Sequence, residues 1–446
     1  MTAAVATGGT ATDALDVAAV RARFPALRRV HAGRPVAYFD GPGGTQVPQS
    51  VADAVADYLL HHNATARWAF PTSQETDIVL AEARAAAADL LGARPDEVAF
   101  GANMTTLALH LSRALGRGMP AGPAAGRPLG PGDEVVVTEL DHHGNVAPWT
   151  ALARERGVVV RTARLHVDTC ELDWDDLARC IGPRTRLLAV GAAANAVGTI
   201  TDVARAAGLA RQVGALTFVD AVHWAPHAPV DVAHLAAAGV DFLACSAYKF
   251  HGPHVGILWG RPDLLAALDV PRVAPASDAV PERLETGTRN FEGLAGTRAA
   301  VDFLASLGDD LPATFPDAAP ADGSCVSRRA RLARGYARLH AHERALARRL
   351  WDGLRAVPGV TVHGPTPDRP RTPTVSFTVA GRRPVEVARH LAARAVFASH
   401  GNFYAATVTE RLGLPDGLVR AGAACYTTAD EVDRLVEAVA EAARED

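Results

Sequence analysis

The sequence predicts an α/β protein: a large domain with a mostly parallel sheet, followed by a smaller α+β domain at the C-terminal end. Between residues 98 and 260, short apolar runs alternate with alanine-rich helical segments, which is typical of a parallel sheet covered on both faces. From about Leu332 onward, long amphipathic segments and the strand-like run TPTVSFTV replace that alternation. We therefore predict a disordered tail over residues 1–12, a large domain over 33–305, and a small domain formed by 13–32 and 332–446.

Five apolar runs are the candidate strands of the large domain, and each is followed by polar or glycine-rich residues. The runs are VAF from residue 98, EVVVTEL from 134, LLAVGAAA from 187, LTFVD from 216 and DFLACSA from 241. The residues at their ends are Gly101 to Met104, Asp141 to His143, Asn195, Asp220 with His223, and Ser246 with Lys249. Because ligands bind outside the carboxyl ends of parallel strands, these five ends predict one binding site.

Charge and composition favour small-molecule chemistry. The net charge of the 446 residues is −4 with both signs interspersed, so no nucleic-acid-binding or anionic-membrane surface is expected. The first twelve residues lack the basic and apolar regions of a signal peptide, and no apolar run is long enough to span a bilayer. The five cysteines are scattered and show no metal-type pairing, which predicts a reduced, cytoplasmic protein.

Lys249, in SAYKFHGPHVG, is the single lysine of the chain, although lysine and arginine together number 45. An arginine side chain keeps its proton in proteins, whereas a desolvated lysine can become a neutral amine. Only the neutral amine forms a Schiff base with a carbonyl compound. The lone lysine therefore indicates pyridoxal 5'-phosphate (PLP), a cofactor that needs such a lysine, an acidic partner for its pyridinium nitrogen and a phosphate-binding site.

The sequence also contains candidates for the acidic partner of the pyridinium nitrogen and for the phosphate-binding site. Asp220 ends an apolar strand and is suited to pair with a ring nitrogen, although a strand-end hydrogen bond is an equally simple role for it. The segment GANMTT follows a strand and opens a helix, so its N–H groups are suited to a phosphate, or to an ordinary helix cap. His142 is suited to stack on a cofactor ring. The histidines of this region match no familiar zinc-binding spacing, and we predict no metal site.

From VAYFDGPGGTQVP near the start to VRAGAACYTTADEVD near the end, the chain resembles the class V aminotransferase family of fold type I PLP enzymes, and within it the cysteine desulfurase and selenocysteine lyase group. The resemblance implies a seven-stranded, mostly parallel sheet, PLP as cofactor, a small amino-acid substrate and a homodimer with shared active sites. The site residues that it implies are Lys249, Asp220 and His142 for catalysis; Asn103, Met104, Asn195, His223, Ser246 and Thr288 for cofactor contacts; and Arg420, Asn195 and Tyr404 for the substrate.

In this resemblance Lys249 forms the Schiff base, Asp220 faces the pyridine nitrogen, and His142 stacks on the ring. His223 replaces a glutamine near the phenolic oxygen, Asn195 lies over the substrate side, and Arg420 pairs with the substrate α-carboxylate. Asn103, Met104 and Ser246 bind the phosphate, which Thr288 reaches from the neighbouring subunit.

One departure from the family pattern concerns the reaction. Desulfurases carry a mobile cysteine in a loop that corresponds to FASHGNFYA, residues 397–405, and Tyr404 takes its place here. Of the five cysteines, only Cys325 lies in a segment that reads as a mobile insertion. We therefore predict β-elimination from a cysteine-like or S-substituted cysteine substrate. An aminotransferase or epimerase of the same family, and a non-catalytic PLP-binding scaffold, are the alternatives.

Overall fold

The computed structural model describes residues 14–309 and 326–444. The predicted tail over residues 1–12 and Cys325 lie outside these ranges. The α-helices of the described ranges are α1 Val17–Ala22, α2 Gln49–Asp57, α3 Pro71–Leu91, α4 Met104–Arg117, α5 Ala147–Arg156, α6 Trp174–Cys180, α7 Val203–Gln212, α8 Val232–Ala238, α9 Pro262–Ala267, α10 Phe291–Ser306, α11 Arg328–Arg355, α12 Pro384–Ala393, α13 Ala406–Arg411 and α14 Ala429–Arg444.

The strands of the same ranges are β1 Val30–His31, β2 Arg34–Pro35, β3 Ala37–Tyr38, β4 Val98–Gly101, β5 Glu134–Thr138, β6 Val159–Ala163, β7 Leu165–His166, β8 Glu171–Leu172, β9 Thr185–Gly191, β10 Leu216–Asp220, β11 Phe242–Ser246, β12 Gly256–Gly260, β13 Val360–His363, β14 Thr374–Val379, β15 Val396–Phe397, β16 Ser399–Gly401 and β17 Leu418–Gly422. None of the helices in the described part of the chain is long and apolar enough to cross a bilayer.

Seven strands form the large sheet, in the order β4-β12-β11-β10-β9-β5-β6. The pairs among β11, β10, β9, β5 and β6 are parallel, whereas β12 runs antiparallel to both of its neighbours. The predicted seven-stranded, mostly parallel sheet is confirmed. All five apolar runs became strands of this sheet, and β6 and β12, which are not among those runs, complete it.

Both faces of the large sheet are covered, which explains why its strands are continuous apolar runs. Along β11, Phe242 and Ala244 pack into one hydrophobic cluster, while Leu243 and Cys245 pack into the other. Every residue of β5, β10, β11 and β12 is buried. The polar side chains that this sheet contributes to the predicted site lie at or just beyond the carboxyl ends of its strands.

The C-terminal part of the chain forms a separate sheet, with strand order β13-β14-β17-β16 and antiparallel pairing throughout. Helices α11 and α12 pack on this sheet and α14 packs against both helices, around a third apolar cluster. An early segment crosses over to this part of the chain, because β3 pairs in parallel with β15. The predicted α+β architecture is confirmed, and the domain boundaries stay a prediction.

Candidate active site

The polar strand ends of the large sheet lie at one edge. Strands β4, β5, β9, β10 and β11 lead, respectively, to Asn103, His142, Asn195, Asp220 and Lys249. Since the carboxyl ends of parallel strands meet at the same edge, their side chains converge there. Electrostatic coupling shows the same proximity, because the charge of Lys249 affects the pKa values of His142 and Asp220.

Lys249 ends a single 3-10 turn, Ala247–Lys249, which follows β11 directly. Its Nζ donates hydrogen bonds to the carbonyl oxygens of Pro42, at 2.5 Å, and Gly43, at 3.0 Å. Burial, followed by the positive charge of Arg420, lowers the pKa of Lys249 to about 7, while Asp220 acts in the opposite direction. A substantial fraction of neutral amine is therefore present at neutral pH, as Schiff-base chemistry requires.

Asp220 is the buried last residue of β10. Its Oδ1 accepts a hydrogen bond from the backbone N–H of Val222 at 2.9 Å, and Oδ2 makes no hydrogen bond within the described ranges. Burial raises the pKa of Asp220 to about 6, and the Val222 N–H and Lys249 oppose that shift. One oxygen thus has the strand-end role that the sequence left open, and the other is available to a cationic ligand group.

His142 precedes the short turn His143–Asn145, and its Nδ1 accepts a hydrogen bond from the backbone N–H of Gly144 at 2.9 Å. Burial, with a smaller contribution from Lys249, lowers its pKa to about 4. The ring is therefore neutral at physiological pH, with its proton on Nε2. A neutral, half-buried imidazole is suited to pack flat against an aromatic ring.

The predicted phosphate-binding residues lie at the start of α4. Asn103 is its N-cap: Oδ1 accepts from the N–H of Thr106 at 2.9 Å, so the helix-cap interpretation also holds. Ser246 Oγ accepts from the N–H of Met104 at 3.0 Å. A Cβ at Gly256 would come within 2.5 Å of the Asn103 backbone, so only glycine lets β12 approach this turn.

Thr288 is exposed and lies in a different loop from the other predicted cofactor residues. It lines a cavity of about 340 Å³ together with Ala102, Thr106 and His254. No hydrogen bond joins Thr288 to the Lys249 side of the site among the described residues. Its predicted contact requires a second copy of the chain and stays a prediction.

Asn195 and Arg420 form the opposite wall of the site. Arg420, in the middle of β17, donates from Nη1 to the backbone oxygen of Asn195 at 2.9 Å. Asn195 Nδ2 donates to the backbone oxygen of Phe403 at 2.8 Å, and the Arg420 guanidinium lies 4.0 Å from the centre of the Phe403 ring. Burial lowers the pKa of Arg420 to about 9, although Asp40 opposes that shift.

Three buried polar atoms of this wall have no hydrogen-bond partner: Asn195 Oδ1, Arg420 Nε and Asp40 Oδ1. Buried polar groups in folded proteins are nearly always paired, so a cluster of unpaired ones indicates a site that a ligand completes. A guanidinium with an unused N–H fits a carboxylate. With Lys249 and Asp220 opposite, these groups fit PLP with an amino acid.

Tyr404 lies at the mouth of the site. Its backbone oxygen accepts from the N–H of His143 at 2.7 Å, and its ring centre lies 5.5 Å from that of His142. The side chain is 74% exposed. Both Phe403 and Tyr404 have positive φ angles, 56° and 58°, which are uncommon for residues other than glycine.

The four cysteines of the described ranges are free, and burial raises the pKa of each thiol. Cys245 is fully buried on β11, where burial raises its pKa to about 12. Cys425 is also fully buried, with Sγ 3.5 Å from His251 Nε2. None of these four thiols is suited to form a mobile thiolate.

Several residues of the site were missed from the sequence. Pro42 and Gly43 hold the lysine amine, Asp40 interacts with Arg420, and the Tyr248 ring lies 5.2 Å from Lys249 Nζ. His223 was predicted near the cofactor, but its contacts to Thr372 and Thr374 were not. The glycine-rich turn DGPGG was the sequence signal that could have indicated Asp40, Pro42 and Gly43. The threonines carry no local signal.

The chain is similar to known proteins over nearly its whole length. The chain is 31% identical over 439 residues to probable cysteine desulfurase 2 from Mycobacterium leprae, covering 95% of this chain and 96% of the relative. It is 30% identical over 440 residues to probable cysteine desulfurase 1 from the same organism, covering 96% of this chain but spanning only 65% of that protein's length. The crystal structure of the cysteine desulfurase CsdA from Escherichia coli is similar with a TM-score of 0.78 and 27% identity, covering 96% of this chain and 98% of that one.

The family model described as aminotransferase class-V matches residues 37–311 and 331–435, nearly the whole of the chain. This match confirms the family, the fold type and the cofactor that the sequence predicted. The protein therefore belongs to the aminotransferase class-V family and is a pyridoxal-phosphate-dependent enzyme.

Proposed function

We propose that this enzyme catalyses β-elimination on a small L-amino acid of the cysteine type and cleaves the Cβ–S bond of cysteine or an S-substituted cysteine. The observation that carries the proposal is the position of Tyr404. This residue takes the place of the desulfurase cysteine in the family resemblance, and it packs against His142 at the mouth of the site. A cysteine-type substrate is supported by the names of the relatives, which are cysteine desulfurases.

PLP, when bound, withdraws electrons from the Cα atom of the amino acid, which makes the Cα proton acidic. The neutral amine of Lys249 accepts that proton. The electron pair of the Cα–H bond forms a Cα=Cβ double bond as the Cβ–S bond breaks, and the sulfur leaves as a thiolate and is protonated. Hydrolysis of the unsaturated product consumes one water and yields pyruvate and ammonia.

The other residues of the site are proposed to bind and orient the cofactor and the substrate. Arg420 is proposed to receive the α-carboxylate through its planar guanidinium, with the Asn195 amide beside it. Asp220 is proposed to keep the pyridine nitrogen protonated, and His142 to cover the ring. Asn103, Met104, Ser246 and His223, with Thr288 from a second copy, are proposed to hold the rest of the cofactor, and Tyr404 to contact the substrate side chain.

Among the described residues no thiol is suited to accept sulfur, and this feature separates the proposed reaction from desulfuration. A desulfurase needs a thiolate that attacks the substrate sulfur and retains it as a persulfide. Tyr404 offers a phenol, which cannot hold sulfane sulfur, and the four described thiols are disfavoured as thiolates. We therefore expect sulfide or a free thiol as the released product.

The test is incubation of the PLP-loaded protein with cysteine, S-methylcysteine and a panel of L-amino acids. Pyruvate, ammonia and sulfide or thiol are assayed together, and the protein is analysed by mass spectrometry. Equimolar pyruvate and thiol with unmodified cysteines supports β-elimination. Alanine with a protein-bound persulfide would instead establish desulfuration, and loss of that persulfide in Cys325→Ser would identify the acceptor.

The same assay distinguishes the alternatives. A keto acid that retains the substrate side chain, formed with an amino acceptor present, would establish an aminotransferase, and a D-amino acid would establish an epimerase. PLP binding without turnover of any amino acid would favour the non-catalytic scaffold. Lys249→Ala is the matched control for background chemistry of free PLP.

We also propose a homodimer with shared active sites. Five large apolar side chains are exposed within residues 59–78: Leu59, Leu60, Trp68, Phe70 and Ile78. We call this stretch the apolar segment. Arg67 within it forms an ion pair with Glu282, which lies near Thr288 in sequence. A second copy that covered the apolar segment would bury this surface close to the residue predicted to act across the interface.

We also propose a cytoplasmic location, because the described cysteines show no sign of disulfide pairing. The four cysteines of the described ranges are free thiols, and disulfides are rare in the reducing cytoplasm. Fractionation with detection of the tagged full chain would test this proposal.

A further inference from the structure

The turn after β10 carries two histidines that the C-terminal part of the chain holds in place. His223 is 4% exposed, and its Nε2 lies 3.0 Å from Thr374 Oγ1 and 3.2 Å from Thr372 Oγ1. His227 Nδ1 lies 2.9 Å from an oxygen of the buried Glu343, on α11. The two imidazole centres are 5.6 Å apart. Both rings are therefore positioned by elements distant in sequence.

His223 faces the candidate active site. The N–H of Ala225 donates to the oxygen of Ala221, so His223 lies in a tight turn that begins directly after Asp220, the last residue of β10. Its contact residue Thr374 pairs in register with Gly422, two residues beyond Arg420 on β17. After burial and His227, the charges of Lys249 and Arg420 also lower the pKa of His223, which agrees with that position.

The contacts of His223 bear on which nitrogen carries the proton. The ring is neutral, because burial lowers its pKa well below the usual value, so one nitrogen donates and the other accepts. Thr372 Oγ1 also lies 3.5 Å from the carbonyl oxygen of Gly198, to which it can donate. The Thr374 hydroxyl has no other hydrogen bond within the described ranges, so it is free to donate to Nε2.

If Nε2 accepts from Thr374, the proton is on Nδ1. This atom makes no hydrogen bond to any residue in the described part of the chain. A buried histidine with an unused N–H in a cofactor site is a donor prepared for a ligand. The phenolic oxygen of PLP, ionised in the reactive form, is an acceptor that this N–H would stabilise.

We propose that Thr374 is a positioning residue: its hydroxyl donates to Nε2 of His223 and so keeps Nδ1–H as the donor to the phenolic oxygen of PLP. This proposal rests on the proposed cofactor contact of His223, but not on which reaction the enzyme catalyses. Without the Thr374 hydroxyl, the ring can place its proton on Nε2 and donate to Thr372. Nδ1 would then present a lone pair to the ionised oxygen.

The test compares Thr374→Val, which keeps the shape and removes the hydroxyl, with Thr374→Ser, which restores the hydroxyl. Thr378→Val is the matched control, because Thr378 lies on the same strand and contacts a different histidine, His363, at 3.1 Å. The readout is the pH midpoint of the visible absorption band in the PLP-loaded proteins. Loss of a hydrogen bond to a charged oxygen is expected to raise that midpoint by about one pH unit or more in Thr374→Val.

Thr374→Ser and Thr378→Val are expected to keep the wild-type midpoint. An unchanged midpoint in a folded Thr374→Val protein would overturn the proposal. If that variant does not fold, the position of the proton on His223 can be measured by ¹⁵N NMR of histidine-labelled wild-type protein. The His223→Gln variant assigns the signal. A proton on Nδ1 supports the proposal, and a proton on Nε2 contradicts it.

The same experiments separate this inference from the proposed function. A covalent protein–PLP bond that persists in Lys249→Ala, detected by mass spectrometry after borohydride reduction, would contradict the cofactor attachment itself. A shifted midpoint in Thr374→Val, in a protein that releases no pyruvate from any cysteine-type substrate, would support the role of Thr374 and contradict β-elimination.

Discussion

At the scale of the residue, the chemistry of the site depends on the environment of each ionisable group more than on its identity. Burial lowers the pKa of Lys249 to about 7 and of His142 to about 4, and raises that of Asp220 to about 6. Each shift favours the neutral form, because charged groups lose hydration on burial. A cationic pyridine nitrogen next to Asp220 would restore its charge, so cofactor binding and ionisation are coupled.

The lowered pKa of Lys249 predicts how the protein captures PLP. The neutral fraction of the amine should rise from about one tenth at pH 6 to about nine tenths at pH 8. We expect the rate of covalent capture by the apoprotein to rise with pH through about 7 and then level off, measured by stopped-flow absorbance. A rise centred near the ordinary lysine value of about 10.4 would contradict the burial effect.

Asp220→Asn tests whether the carboxylate acts electrostatically. Because the amide keeps the shape but loses the charge beside the ring nitrogen, we expect turnover to fall on the order of 100-fold or more. Asp202→Asn is the matched control, since Asp202 accepts from the backbone N–H of Arg205 as an ordinary helix N-cap. Equal turnover rates in the two variants would show that Asp220 acts only as a strand-end hydrogen-bond acceptor.

At the scale of the element, the loop between β16 and α13 shows how a turn positions one side chain. Asn402 Oδ1 accepts from the N–H of Tyr404, and the backbone oxygens of Phe403 and Tyr404 accept from Asn195 and His143. These bonds hold two consecutive residues in the left-handed region. Local strain at a ligand site is maintained only when surrounding contacts fix it.

The positive φ of Tyr404 predicts that the stability of the protein depends on which residue replaces this tyrosine. Glycine adopts a positive φ without steric cost, whereas alanine does not. We therefore expect Tyr404→Gly to be more stable than Tyr404→Ala by about 1 kcal/mol in chemical denaturation. Both variants should lose activity on the cysteine-type substrate, because the phenol is absent from both. If the alanine variant is as stable as the glycine variant, the backbone at this position carries no strain.

At the scale of the whole molecule, the site is assembled from both parts of the chain. The large sheet contributes Lys249 and Asp220, whereas Arg420 comes from the C-terminal sheet. Contacts such as Asn195 with Phe403 and His223 with Thr374 join the two parts. A rotation of one part relative to the other would therefore separate Arg420, the residue proposed to bind the substrate carboxylate, from Lys249.

The proposed dimer predicts that the apolar segment is buried between two copies. Leu60 is 75% exposed and Trp68 is 61% exposed in the single chain. We expect Leu60→Ser with Trp68→Ser to weaken self-association on the order of 100-fold, because large side chains at interface centres carry most of the binding energy. Analytical ultracentrifugation measures this change, with Val159→Ser on the edge strand β6 as the control. A double variant that remains dimeric at low concentration would place the interface elsewhere.

Local patterns in the sequence were enough to predict the elements and the chemistry of the site. Apolar runs and helical periodicity depend on neighbouring residues, so the five strands and their polar ends were predictable from short windows. The same holds for Lys249, because a lone lysine at a strand end is visible without a structure. The confirmed cofactor followed from these residues taken together, and the confirmed family followed from the resemblance of the motifs that contain them.

The tertiary structure decided what depends on contacts between distant segments. The pKa of Lys249 is set by burial and by Arg420, which arrives on another sheet. The threonines that hold His223 and the Phe403 carbonyl that binds Asn195 have no local signal, because nothing in their own windows specifies a partner. Sequence periodicity specifies which face of an element is buried, but only the packed chain determines which side chains meet there and how far their pKa values shift.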